Sequence, residues 1–321
     1  MVERYLPGRG LLAGVGFAFS AAAAATITHL PGVNLERAAA QLAGAHRLPL
    51  FGAFVLFVAS LAFSAFAWRS AVGECGGRLG RTRSAAFFGV GSLVNSLTPA
   101  RLGDAVRIAL FSRGLPGQGR LWAGGGIFAA MSAFQGVSMI ILVATAAWLG
   151  AIPPWAVALP AAPAVVAVVL ARRAKRRGSR SGISRLLDVF AAFGRSPRHT
   201  CRPVGWLTVA LCCRICAAAL TATAFGMASS VTAAIVLIPA VEIATLLPLT
   251  PGNLGLTSAA VAVALHTTGT SLTRAVAVGI GFHAAEMAAG LAYGLASTIY
   301  LLGVRADSGT FVGPAPAINT Y

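Results

Sequence analysis

Apolar residues run in long blocks along this chain, at about 10–29, 48–68, 84–98, 121–150, 154–171, 203–228, 231–248, 254–266 and 271–302. Most of these blocks reach the roughly 20 residues that a helix needs to cross a bilayer. The connections between them are short and rich in arginine. The pattern predicts an all-α integral membrane protein with room for six to eight crossings and no separate soluble catalytic domain. Two blocks, 84–98 and 254–266, are too short for a comfortable span, and each adjoins a Pro/Gly break.

The two breaks are copies of one another. Leu97-Thr98-Pro99-Ala100-Arg101-Leu102-Gly103 and Leu249-Thr250-Pro251-Gly252-Asn253-Leu254-Gly255 agree at five of seven positions, 152 residues apart. Internal repeats define architecture, and the flanks repeat as well. The first half reads span (10–29), polar helix (34–46), span (48–68), broken segment (84–113) and long span (121–150). The second reads span (154–171), polar helix (181–195), span (203–228), broken segment (231–266) and long span (271–302).

If each broken segment enters and leaves on one side, each half makes three crossings, an odd number, and the second half is inverted relative to the first. The expected fold is therefore two inverted repeats, about six full spans plus two broken, re-entrant hairpins. Residues 1–150 form the first repeat, 151–303 the second and 304–321 a disordered tail. Pro99 and Pro251 interrupt the helical ladder, and Gly103, Gly252 and Gly255 permit a tight reversal. The simpler alternative, two proline-kinked spans, leaves the repeated sequence and the short segments unexplained.

Composition agrees. Of 321 residues, 57% are hydrophobic and 10% charged, with a mean hydropathy of +0.79; soluble domains carry about 25% charged residues. The 25 basic residues, 24 of them arginine, face eight acidic ones, for a net charge of +17. In a membrane protein this excess reads as positive-inside topology and contact with anionic headgroups rather than nucleic-acid binding. With both termini in the cytoplasm, 19 basic residues fall on the cytoplasmic side, ten of them between Arg172 and Arg202. Three fall outside (Arg37, Arg47, Arg274) and three within membrane segments (Arg101, Arg107, Arg214). The first apolar block resembles a signal peptide, but its counterpart at 154–171 argues for a retained span. The odd cysteine count and the lack of a second ligand pair make Cys213-x-x-Cys216 ordinary apolar residues of a helix.

Charges at membrane depth are costly and concentrate at functional sites. Arg101, Asp104 and Arg107 follow one another at i, i+3 spacing and share a helical face. Two guanidinium forks suit a phosphate; the competing reading is a self-neutralising cluster that lets the hairpin dip. Arg214 and Glu242 read as a structural pair, with a proton relay or headgroup contact as the alternative. Glu286 and His283, three residues apart on one face, stay open. Asn95 and Asn253 flank the two tips, where they line a polar path or cap broken helix ends. Gly124-Gly125-Gly126 reads as a site of close helix packing. No metal cluster, cofactor motif or activated nucleophile stands out, so the chain is expected not to be an enzyme.

Asn95-Ser96-Leu97-Thr98-Pro99-Ala100-Arg101-Leu102-Gly103-Asp104-Ala105-Val106-Arg107, with Pro251-Gly252-Asn253-Leu254-Gly255, resembles the lysylphosphatidylglycerol synthase transmembrane-region family, a flippase-like membrane domain. The resemblance implies a multi-pass inner-membrane protein of bacterial envelope lipid or glycolipid pathways, without the soluble aminoacyl-transferase domain of the bifunctional members. Two departures stand out. Acidic residues that the family often carries after the second turn and after the first motif are replaced by Asn253, Thr257 and Ser258, and by Ala129, Ala130 and Gln135. The arginine excess then favours a transported lipid that is anionic or phosphate-bearing, held by Arg101, Arg107, Asp104, Asn95 and Asn253. The rival reading is a non-transporting scaffold for envelope-synthesis enzymes, docked through the 172–202 loop; a lipid-modifying enzyme is a third.

Overall fold

The computed structural model describes residues 35–98, 102–117, 119–154, 158, 197–228, 230–245 and 255–309. The expected span 10–29, nearly all of 154–171, the polar segment 181–195 and both tips, with Pro99, Arg101, Pro251, Gly252 and Asn253, lie outside the described residues. Every element among the described residues is an α-helix: α1 (Leu35–Ala43), α2 (Arg47–Glu74), α3 (Arg81–Leu97), α4 (Leu102–Ser112), α5 (Arg120–Trp148), α6 (Pro197–Ala224), α7 (Ser230–Thr245), α8 (Leu256–Thr267) and α9 (Leu272–Gly309). Helix α9 continues past Gly303, where the sequence places the start of a tail, and ends at Gly309.

Length separates two kinds of helix. Helices α2, α5, α6 and α9 each contain a stretch long and apolar enough to cross a membrane. At about 1.5 Å per residue, the 28 residues of α2 outreach a hydrocarbon core of about 30 Å. Helices α3 and α4 have 17 and 11 residues, α7 and α8 have 16 and 12, and none of the four reaches across alone. The long and short helices alternate in one order twice: 28, 17, 11 and 29 residues in α2–α5, then 28, 16, 12 and 38 in α6–α9.

Helices α3 and α4 form an antiparallel hairpin. Phe87 packs on Phe111, Ser92 meets Arg107, and Asn95 meets Asp104, so one arm ascends as the other descends. The hairpin returns to the end from which it started: the Arg78 amide, just before α3, donates to the Gly114 carbonyl just after α4 at 3.0 Å. Gly103 is needed for close approach. It lies inside α4 with ordinary helical backbone rather than at a reversal, and a Cβ there would collide with the Gly91 carbonyl oxygen and with Asn95. Gly255 does serve a turn. It caps the start of α8 at φ 83°, a region that favours glycine.

The helices pack across the two halves in matched pairs. Helix α2 lies against α6; α3 lies against α9 as α7 does against α5; α4 lies against α5 as α8 does against α9. Exchanging α2 with α6, α3 with α7, α4 with α8 and α5 with α9 converts each of these contacts into another that is present. Helices α2 and α6 run in opposite directions: the His46 amide before α2 donates to the Ala224 carbonyl ending α6, while Trp206 near the start of α6 stacks on Phe63 of α2 and meets Phe66 edge-on.

Two apolar cores result. One gathers Trp68, Phe87, Phe88, Phe111, Ile127 and Met131 around the α3–α4 hairpin. The other gathers Leu237, Ile238, Val261, Leu265, Val276 and Phe282 around α7, α8 and α9. The α3–α9 seam depends on small residues, with Gly89 facing Ser297 and Gly294 facing Leu93, an arrangement that lets helix backbones approach closely in lipid. Gly124 does the same between α5 and α4, where a Cβ would sit 2.5 Å from the Ser112 hydroxyl.

Candidate functional site

Between the two cores lies a cavity of about 320 Å³. Each of α2–α9 contributes a polar side chain to it: Ser60 and Ser64 from α2, Asn95 from α3, Asp104 and Arg107 from α4, Gln135 and Ser138 from α5, Arg214 from α6, Glu242 from α7, Thr257 from α8, and His283 and Glu286 from α9. The cavity thus collects the described polar residues that the sequence singles out inside the membrane, although they lie up to 191 positions apart (Asn95 to Glu286).

On one side stands the first hairpin. Arg107 Nη1 donates to Asp104 Oδ1 at 2.8 Å, and Nη2 donates to the Ser92 hydroxyl at 2.8 Å. Its guanidinium also lies over the Phe88 ring, 4.0 Å from the centroid, a cation–π contact. The Asn95 amide donates to Asp104 Oδ1 at 3.1 Å, while the buried Asn95 Oδ1 has no hydrogen-bond partner among the described residues. These bonds close the hairpin, and Asn95, Asp104 and Arg107 also face the cavity. The Arg107–Asp104 pair keeps only about 15% of its side-chain surface exposed, so its attraction is weakly screened.

On the other side stands a three-helix ion cluster. Arg214 Nη1 bonds Glu242 Oε1, and Nη2 donates to Glu286 Oε1 at 2.9 Å. The expected Arg214–Glu242 pair is present, and Glu286 joins it. His283, one helical turn from Glu286, is 7% exposed, and neither ring nitrogen has a hydrogen-bond partner among the described residues. Among its described lining residues the cavity therefore holds two guanidiniums (Arg107, Arg214) and three carboxylates (Asp104, Glu242, Glu286).

Sequence reasoning did not single out Ser60, Ser64, Ser138 or Thr257 as lining residues. Their signal is weak but present. Ser60 and Ser64 sit at i, i+4 on an otherwise apolar helix, and Ser132, Gln135 and Ser138 recur every three residues on α5, so each set shares a face. Arg101 and Asn253, expected at the tips, lie outside the described residues. Among the described residues, no group of three or more His, Cys, Asp or Glu side chains is arranged to hold a metal.

Comparison with curated proteins and with solved structures gives no match. The family model for the lysylphosphatidylglycerol synthase TM region matches residues 12–294, a range that contains both Pro/Gly breaks and every described lining residue of the central cavity. The chain belongs to that family, a membrane domain of lipid and envelope biogenesis.

Proposed function

We propose that the protein moves a phosphate-bearing lipid across the cytoplasmic membrane, its headgroup passing through the central cavity while its acyl chains stay in the bilayer. The observation that carries this reading is the cavity itself. A polar chamber lined by both halves, with two guanidiniums beside unpaired polar atoms of Asn95 and His283, is costly at membrane depth and is what a headgroup needs. Arg107, with Arg101 six residues before it in the sequence, offers bidentate donors for the phosphate. Glu242 and Glu286 offer acceptors for headgroup hydroxyl or ammonium groups.

The matched contacts and the opposite directions of α2 and α6 support an inverted repeat. Rocking of inverted halves about a central site is the mechanism that such symmetry suggests. The arginine-rich connections favour cytoplasmic termini by the positive-inside rule.

The test is dithionite quenching of fluorescent phosphatidylglycerol in proteoliposomes. Wild-type protein is expected to expose inner-leaflet lipid, and Arg107→Lys, which keeps the charge but loses the fork, to slow this at least tenfold without loss of folded protein. Wild-type rates equal to those of empty liposomes would overturn the transport reading. With bulk-like co-purifying lipid as well, the scaffold role would replace it.

A further inference from the structure

A second cavity, of about 510 Å³, lies where α2 ends and α6 begins, and shares no lining residue with the central one. Among the described residues, Arg69, Arg78, Arg81 and Arg202 line it, with Glu74 as the one acidic side chain. Against four arginines, one carboxylate leaves three positive charges around a small volume. The end of α2, the loop after it, the start of α3 and the start of α6 thus bring four arginines together.

The site is held in shape. Arg69 Nε donates to the Leu79 carbonyl at 2.9 Å, which fixes the guanidinium plane and leaves its two Nη groups for the cavity. The loop between α2 and α3 is pinned by the Arg78–Gly114 backbone bond and by Gly77, where a Cβ would sit 2.5 Å from the Gly114 carbonyl oxygen. Clustered, oriented guanidiniums are the donors that match phosphate oxygens. Part of the remaining wall is aromatic: Phe66 and Trp206 line it, and Trp206, 36% exposed, stacks on Phe63. Cationic donors on one side and aromatic carbon on the other suit an amphiphile at a membrane interface better than a small soluble anion.

We propose that this cavity is a second binding site, specific for the phosphate of an anionic lipid headgroup at the basic end of the bundle. It does not depend on transport through the central cavity.

Native mass spectrometry of the full chain in neutral detergent, with added dihexanoylphosphatidylglycerol, counts bound lipids. The triple variant Arg69→Gln, Arg81→Gln, Arg202→Gln is expected to bind one phospholipid fewer than wild type, whether or not the central cavity holds one, with its thermal midpoint unchanged within a few degrees. Trp206→Leu is expected to weaken the lipid at this site several-fold without changing the affinity for inorganic phosphate alone. An unchanged count in the triple variant would overturn the proposal. So would equal occupancy by dihexanoylglycerol, which lacks phosphate. Displacement by inorganic phosphate at the same concentration as the lipid would overturn the lipid assignment in favour of a soluble-anion site. Should the triple variant fail to fold, Arg81→Glu, at an exposed position, is expected to lower occupancy at least fivefold, and unchanged occupancy would count equally against the site.

Discussion

The two short-helix pairs are built to one plan of lengths but held by different forces. In the first, both members of the Arg107–Asp104 pair sit on α4, and the cross-arm contacts are a serine, an asparagine and a stack of Phe87 on Phe111. That hairpin carries its own fastening. In the second, α7 brings Glu242, and the charge that neutralises it belongs to Arg214 on the neighbouring long helix, which also grips Glu286 of α9. Its core is aliphatic, with Leu237, Ile238, Val241, Val261 and Leu265 fully buried. A hairpin fastened within itself can shift as a unit, whereas one tied through an ion cluster to two long helices moves only with them.

The sharpest way to break this contrast is Arg214→Ala. It leaves two carboxylates at membrane depth without their cation and is expected to cost about 3–5 kcal/mol, read by chemical unfolding in detergent. Combining Arg214→Met with Glu242→Gln and Glu286→Gln should restore most of that loss, because no uncompensated charge remains. A triple variant no more stable than the single one would mean that the cluster is not what ties the second half.

Gly103→Ala forces the two arms of the first hairpin apart, since the new Cβ meets backbone oxygen rather than a flexible side chain. Overpacking of this kind costs about 2–3 kcal/mol, and in the same assay the loss should be accompanied by slower lipid movement. Gly255→Ala strains a backbone at positive φ and is expected to cost less, about 1–2 kcal/mol. If Gly255→Ala proved the more damaging of the two, the second hairpin would be the tighter one and the contrast would reverse. At the small end, Ser64→Ala removes a hydroxyl that bonds the Ser60 carbonyl within its own helix. Its effect on stability should stay within about 0.5 kcal/mol, so any larger effect on lipid movement would mark the cavity wall as functional rather than structural.

Much of the architecture was legible because lipid imposes simple rules. Span lengths follow from bilayer thickness, and the short arms were visible as blocks too brief to cross beside repeated Pro/Gly breaks. The i, i+3 spacing of Asp104 and Arg107 predicted their contact, since helix geometry alone brings such residues together. The Arg214–Glu242 pair was inferable from cost, because an arginine in an apolar helix needs an acid and few acids are available. That Glu286 joins the pair was not legible: it lies 72 residues beyond Arg214, and its reach depends on where α9 crosses α6. Gly103 was assigned to a reversal because of its neighbouring proline, yet it serves the close approach of α3 and α4, a property of the partner helix rather than of the local chain.

By itself the sequence determined the helical class, the repeated order of long and short segments, and the concentration of arginine in particular connections, since each depends on local composition and on the thickness of the membrane. The tertiary structure decided that two sets of charges far apart in the chain share one cavity, that carboxylates outnumber guanidiniums among its described lining residues despite a chain at +17, and that arginines of α2, α3, α6 and the loop after α2 line a second one. Those outcomes depend on which helix faces meet, and helix packing is settled by shape across contacts hundreds of residues apart, which no local pattern encodes.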